Sequence, residues 1–202
     1  MAILVNYPIL KKVYMPREVM PLAYVISNVV HFLLAWCVFF VAFALVMPFI
    51  SKGMPFRSDW AWFPVITLME LLLVTGMGLW AAALNVFYED VKYMLQTAFQ
   101  LLFFLLPVLY PSDNIYWIPI MQRHPWLFQL YMMNPITAIV NAYRKTMLEP
   151  VMPYGAESTH HYPLLMSSQW GSFAGAFALT LLIAWSGYAY FNWRKWQFVE
   201  RP

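Results

Sequence analysis

A chain of 202 residues with 62% hydrophobic and only 10% charged side chains is not an ordinary water-soluble domain. Such a domain carries about 25% charged residues, and this much apolar surface would aggregate in water. The net charge of +3 is spread over the ends and loops, which excludes a nucleic-acid-binding stripe, and the single cysteine, Cys37, excludes an intrachain disulfide or a cysteine-based metal cluster.

The chain opens on a basic, aromatic segment. Residues 6–18 interleave Lys11, Lys12, Arg17 and Glu18 with Tyr7, Leu10, Val13 and Tyr14, and Pro8 and Pro16 prevent one regular helix. Residues 1–21 therefore read as an amphipathic segment on a membrane surface. They are not a secretory signal, because Lys11 and Lys12 follow the apolar start instead of preceding it.

The first span covers residues 22–47, with Ser27, Asn28 and His31 as its polar interruptions and Pro48 expected to end it. A polar loop over 51–59 leads to the second span, 60–84, which opens on Trp60 and Trp62 as interface anchors. It carries Glu70 near its middle and then turns rich in small residues at Gly76, Gly78, Ala81, Ala82 and Ala83, which allow close helix approach in lipid. Residues 85–92 read as a tight charged loop. The third span, 93–109, is broken at its far end by Pro107 and Pro111.

Residues 111–169 do not read as a span. Trp117, Trp126, Phe128 and Tyr131 point to helical pieces lying at the interface. Asn134 and Pro135 mark a turn and a helix start. The helix that follows is amphipathic, with Ile136, Ile139, Val140, Tyr143, Met147 and Leu148 at helical spacing and Arg144 and Lys145 on its polar side. Residues 150–163 read as a loop. The fourth span, 170–190, holds a GxxxG step at Gly171 and Gly175, readable as a dimer seam or as an ordinary feature of membrane helices. A tail over 192–202 carries Arg194, Lys195 and Arg201. The fold class is thus all-α: a polytopic membrane protein forming one transmembrane domain over 1–202, with four transmembrane helices and interfacial or re-entrant helices before the last one.

With four spans both ends lie on one side, together with Lys11, Lys12, Arg17, Lys92, Arg194, Lys195 and Arg201. The other side holds Lys52, Arg57, Arg123, Arg144 and Lys145. The bias places both termini and the loop bearing Glu89 and Asp90 in the cytoplasm.

Catalytic patterns are missing: no phosphate loop of the GxxxxGK type, no HExxH, no GxSxG and no CxxC. His160 and His161 are adjacent in a loop and do not make a metal site on their own, so no metal is expected. His31 and Glu70 lie within spans, where an ionisable group faces a transport path or bonds to a neighbouring helix, and the two also stand at comparable depth for pairing with each other. Asp90, with Glu89, suits the N-cap of the third span.

The order of these features resembles the permease subunit of ABC-2 type exporters, especially those that export polysaccharides. The resemblance rests on Asn6, Ile9, Leu10, Lys11, Lys12, Val13, Tyr14, Met15, Pro16, Arg17 and Glu18, followed by Pro21 and Leu22. It is supported by the loop Asn85 to Val91, by Leu106 to Pro111, and by Asn134 and Pro135 with Tyr143 and Arg144. It implies that Asn6, Leu10, Lys11, Lys12, Val13, Tyr14, Pro16, Arg17 and Glu18, with Glu89 and Asp90, couple the chain to a separate ATPase subunit. That subunit binds the ATP, so this chain needs no cofactor and is a transport subunit, not an enzyme. The resemblance further implies a second copy of the chain, a bacterial cytoplasmic (inner) membrane, and a lipid-linked glycan as substrate; His31 and Glu70, by their place within spans, are the candidates for its path. Trp117, Trp126 and Tyr131 would then touch the glycan at the outer face or serve as plain interface anchors.

Two departures stand out. Family members usually carry an amphipathic helix and two further spans before the coupling block, whereas Met1 sits almost on it here, so an N-terminally truncated chain or a mis-assigned start is expected. Glu89 replaces the usual arginine of the loop motif. The alternatives are an ABC-2 permease for a drug or other small hydrophobic compound, and a membrane enzyme acting on lipid-linked sugars. The scattered acids, with only Glu89 and Asp90 adjacent, argue against the enzyme.

Overall fold

The structure, a computed structural model, describes residues 19–50, 58–88, 90–110, 112, 115, 118–147 and 170–199. Among them there are helices, turns and bends but no strand. The helices are α1 (Val19–Ile50), α2 (Phe63–Phe87), α3 (Val91–Leu105), α4 (Pro119–Arg123), α5 (Pro125–Met132), α6 (Pro135–Met147) and α7 (Trp170–Arg194), with 3₁₀ turns at Ser58–Trp62 and Lys195–Val199.

Three segments are long and apolar enough to cross a membrane: Pro21–Val46, Trp60–Phe87 and Gly171–Gln197. They match the first, second and fourth spans read from the sequence. The third differs. Helix α3 has 15 residues and spans about 22 Å at 1.5 Å per residue, short of a hydrocarbon core of about 30 Å. It stops ahead of Pro107, whose ring disfavours helical geometry at Leu106, and a turn closes there through Val108 N donating to Leu106 O at 2.7 Å. Helix α1, by contrast, runs through Pro48 to Ile50. Pro48 lies two residues past the spanning stretch, so the one backbone donor it removes falls at the helix end and does not stop the last residues from staying helical. The loop read over 85–92 is also shorter than expected. Residues 85–87 and 91–92 are helical, and Val91 N donates to Tyr88 O at 3.3 Å.

Three polar side chains within the spans bond to their own helix. Asn28 Nδ2 donates to Tyr24 O (2.8 Å), Thr75 Oγ1 to Leu71 O (2.7 Å) and Thr180 Oγ1 to Ala176 O (2.9 Å). Each bond returns a side-chain donor to a carbonyl one turn back, where no water is available to take it.

The chain divides into two compact units, one made of residues 1–57, 71–96 and 183–202, the other of residues 58–70 and 97–182. In the first, α2 and α7 meet backbone to backbone. A Cβ on Gly76 would lie 2.6 Å from Ala184 Cα, and one on Gly187 would run into the Gly76 carbonyl. Leu79, Ala83 and Phe191 fill the adjoining core. The Trp80 ring lies flat on Tyr190 (4.4 Å between centroids, 4° between planes), and Trp80 Nε1 donates to Ser186 Oγ at 3.2 Å. The small residues foreseen at Gly76 and Ala83 thus form a seam within the chain, with Gly187 as the facing glycine. Gly175 of the GxxxG step packs within the second unit, where a Cβ would meet Met133 Cε at 2.8 Å, while the space around Gly171 is open.

The second unit gathers the helices that follow α3. Ile115, Phe128 and Met132 form its small core, and α6 packs against the Ser58–Trp62 turn. Helix α6 starts as its sequence dictates: Pro135 takes the first helical position, and Asn134 Oδ1 accepts from Ile136 N at 3.0 Å as the cap.

Candidate functional site

Helix α6 buries a face other than the most apolar one. Ile139 and Met147 are buried as expected, but so are Thr137, Ala138, Asn141, Ala142 and Thr146. Burial of a threonine is tolerable where its hydroxyl returns to the helix backbone, and Thr146 Oγ1 donates to Tyr143 O at 2.9 Å. Asn141 Nδ2 reaches Met132 Sδ at 3.7 Å. The rotation carries Tyr143 toward the start of α2 and Arg144 toward the turn after α3.

Tyr143 Oη donates to Glu70 Oε2 at 2.7 Å and lies 3.1 Å from Thr67 Oγ1. With its one proton committed to the carboxylate, the phenol accepts from Thr67. The Phe63 ring leans on Tyr143 with centroids 5.6 Å apart. Phe63, Thr67 and Glu70 stand four and three residues apart, so one stripe of α2 presents ring, hydroxyl and carboxylate together. Burial first, and the Glu70 carboxylate after it, push the Tyr143 phenol above the usual tyrosine range, which keeps it a proton donor.

The neighbouring Arg144 works in another direction. Its Nη1 donates to Tyr110 O (2.8 Å) and its Nη2 to Val108 O (2.7 Å). Tyr110 Oη donates to Leu105 O at 2.7 Å. A helix end leaves carbonyls without partners, and here two side chains supply the donors for the end of α3 and the turn beyond it. The arginine read as lying on the polar side of α6 is therefore engaged by the chain itself.

The remaining sequence-predicted residues are placed as follows. Asn6, Leu10, Lys11, Lys12, Val13, Tyr14, Pro16, Arg17, Glu18, Glu89 and Trp117 lie outside the described residues, as do His160 and His161. Asp90 stands just ahead of α3, and its carbonyl accepts from Tyr93 N (3.0 Å) and Met94 N (3.1 Å), the position of an N-cap. His31 is exposed on α1, and the acid offered as its partner, Glu70, is held by Tyr143. Trp126 is exposed on α5, whereas Tyr131 packs against the Ile115, Phe128 and Met132 core. Five residues on a helix turn through about 140° between them, so the two rings face different ways. Among the described residues no three His, Cys, Asp or Glu side chains gather as a metal site. Of the two readings of Glu70 the structure shows the bond to another helix, and sequence reasoning missed only the partner, Tyr143. Its one available signal was an acid in a span with no base at helical spacing.

A family model described as ABC-2 type transporter matches residues 8–148. The chain belongs to the ABC-2 type transporter family. The matched range includes α1, α2, α3 and the helices up to α6, so the polar contacts of Glu70, Tyr143 and Arg144 lie inside the family's own domain. Among curated proteins, this ABC-2 chain is 26% identical over 196 residues to an O-antigen export system permease protein RfbA of Klebsiella pneumoniae, covering 96% of the chain and 64% of that relative. A second Klebsiella pneumoniae protein of that name is 26% identical over 150 residues, covering 74% of the chain and 52% of the relative. The Myxococcus xanthus protein of that name is 26% identical over 196 residues, covering 95% and 64%. The chain thus spans less than two-thirds of the length of the curated relatives it matches. No solved structure matches it.

Proposed function

We propose that this ABC-2 chain is the membrane-spanning permease subunit of an ATP-driven exporter that moves a lipid-linked polysaccharide of the O-antigen, capsule or teichoic-acid type across the bacterial cytoplasmic membrane. The observation that carries the reading is the family match over residues 8–148, joined by relatives named O-antigen export permeases that align along most of the chain. ATP is bound by a separate ATPase subunit, and two copies of the permease stand side by side. Asn6, Leu10, Lys11, Lys12, Val13, Tyr14, Pro16, Arg17 and Glu18 dock on the ATPase from the cytoplasmic side, helped by Glu89 and Asp90, and both termini of this chain lie on that side.

Closure of the ATPase pair displaces the coupling segment and rearranges the spans. The Tyr143 and Arg144 contacts support a mechanical part for α6, since they tie it both to a spanning helix and to the turn after α3. Glu70 and His31 serve the path, and Trp117, Trp126 and Tyr131 offer ring faces to the sugars at its outer end.

The test is a charge reversal, Lys11→Glu with Lys12→Glu, made in the permease together with its ATPase. Association or export falls at least tenfold if these lysines dock on the partner. Unchanged association together with unchanged export contradicts the reading.

A further inference from the structure

We propose that the end of the bundle where α2 turns into α3 and α7 finishes is a binding site for the phosphate of an anionic membrane phospholipid, with Arg194 as its principal contact. Arg194 is the last residue of α7, and its guanidinium carbon lies over three rings: Trp193 at 4.6 Å, Phe87 at 5.1 Å and Tyr190 at 5.9 Å. Its Nη1 donates to Gln197 Oε1 at 2.6 Å, and its Nε is buried with no acceptor. Ring faces and one amide oxygen surround the cation, and none of them carries a formal negative charge. A half-buried guanidinium with no carboxylate against it among the described residues is stabilised by an anion, which its accessible Nη edge, not the buried Nε, would meet.

Two further cations share this end. Arg194 stands over Phe87, the last residue of α2, and Lys92 lies in the first turn of the next helix, with its Nζ 4.6 Å from the Tyr93 ring. Lys195 follows Arg194, with its Nζ 5.6 Å from the Trp196 ring. Against these three, Asp90 is the one acid of the described residues in this turn region.

The exposed rings set the depth. Tyr93, Trp193 and Trp196 are 61%, 66% and 73% exposed within the chain, an exposure that suits the headgroup level of a bilayer, where amphipathic rings concentrate. Lipid phosphates lie at that same level. Trp193 and Trp196, beside Arg194 in the chain, offer exposed apolar ring surface on which an acyl chain can lie. Soluble phosphate would use the charge and leave that surface uncovered, so a bilayer phospholipid is the occupant that fits both.

The experiment uses the whole chain, purified in a neutral detergent and offered equimolar phosphatidylglycerol and phosphatidylcholine, with retained lipid counted by native mass spectrometry. The expected result is a preference of about tenfold for phosphatidylglycerol, as one charge-assisted fork is able to supply. Arg194→Gln removes the preference, and Arg194→Lys, which keeps the charge without the fork, leaves a smaller one. Equal retention of the two lipids by the unaltered chain overturns the proposal, and this arm needs no folded variant. Full preference in Arg194→Gln overturns it too. Displacement of phosphatidylglycerol by millimolar inorganic phosphate, or by a polyprenyl diphosphate at equal concentration, would assign the site to that ligand instead of to the bilayer.

Discussion

Where Gly187 meets Gly76, two helices touch through their backbones, while where Tyr143 meets Glu70, they touch through the ends of long polar side chains. In lipid there is no hydrophobic force to press helices together, so one contact relies on close van der Waals approach and the other on hydrogen bonds that have few competitors. The first tolerates no added atom. The second tolerates added atoms but depends on specific donors. A rigid seam within the unit holding α2 and α7 residues, and a polar tie within the unit holding α6, therefore predict different mutational signatures.

The largest effect is expected at the seam. Gly187→Leu forces a side chain into the Gly76 carbonyl and costs about 3 kcal/mol or more, read as a lowered unfolding temperature in detergent. Gly76→Ala is next, because its Cβ would lie 2.6 Å from a backbone atom, whereas Gly78→Ala meets only Val25 Cγ2 at 3.7 Å and serves as the harmless control. Equal tolerance of Gly76→Ala and Gly78→Ala would erase the distinction between the two contacts.

The polar tie comes second. Arg144→Ala strips donors from the Val108 and Tyr110 carbonyls and costs about 2–3 kcal/mol, and Arg144→Lys recovers only part of it because an ammonium cannot reproduce the fork. Chemical denaturation of the purified variants reads both. Tyr143→Phe leaves the packing on Phe63 intact and removes the bonds to Glu70 and Thr67, for a cost of about 1 kcal/mol. Glu70→Gln, whose amide oxygen still accepts from Tyr143, should cost less than Glu70→Leu on the same assay. The smallest effect is Gly175→Ala, within about 0.5 kcal/mol, because the Met133 methyl in its way is the tip of a flexible side chain.

Much of this was readable in advance where one local cause dominates. The apolar runs around residues 21–46, 60–87 and 171–197 announce spanning helices by length alone, and Asn134 with Pro135 announces the start of α6 because cap and proline chemistry are local. The end of α3 shows the limit of that reasoning. Pro107 marked it, yet the apolar run continues to Leu109, and hydropathy does not see that the Leu105 carbonyl takes its donor from Tyr110 and the Val108 and Tyr110 carbonyls take theirs from Arg144. The buried face of α6 was misread for a related reason. Apolar periodicity selects Ile136 and Val140, but a threonine that bonds to its own backbone, as Thr146 does, is also buried at low cost, so polarity alone does not settle which face turns inward. The tie between Glu70 and Tyr143 spans 73 residues and follows from no local rule.

The proposed export of a lipid-linked glycan is tested most directly by measuring that glycan at the cell surface. In cells whose copy of this permease is disrupted, surface glycan detected on intact cells should fall by at least tenfold while the lipid-linked form accumulates inside. Restoring the unaltered permease returns it, and a permease carrying Lys11→Glu and Lys12→Glu does not. Normal surface glycan without the permease, with no lipid-linked form accumulating, would contradict the account.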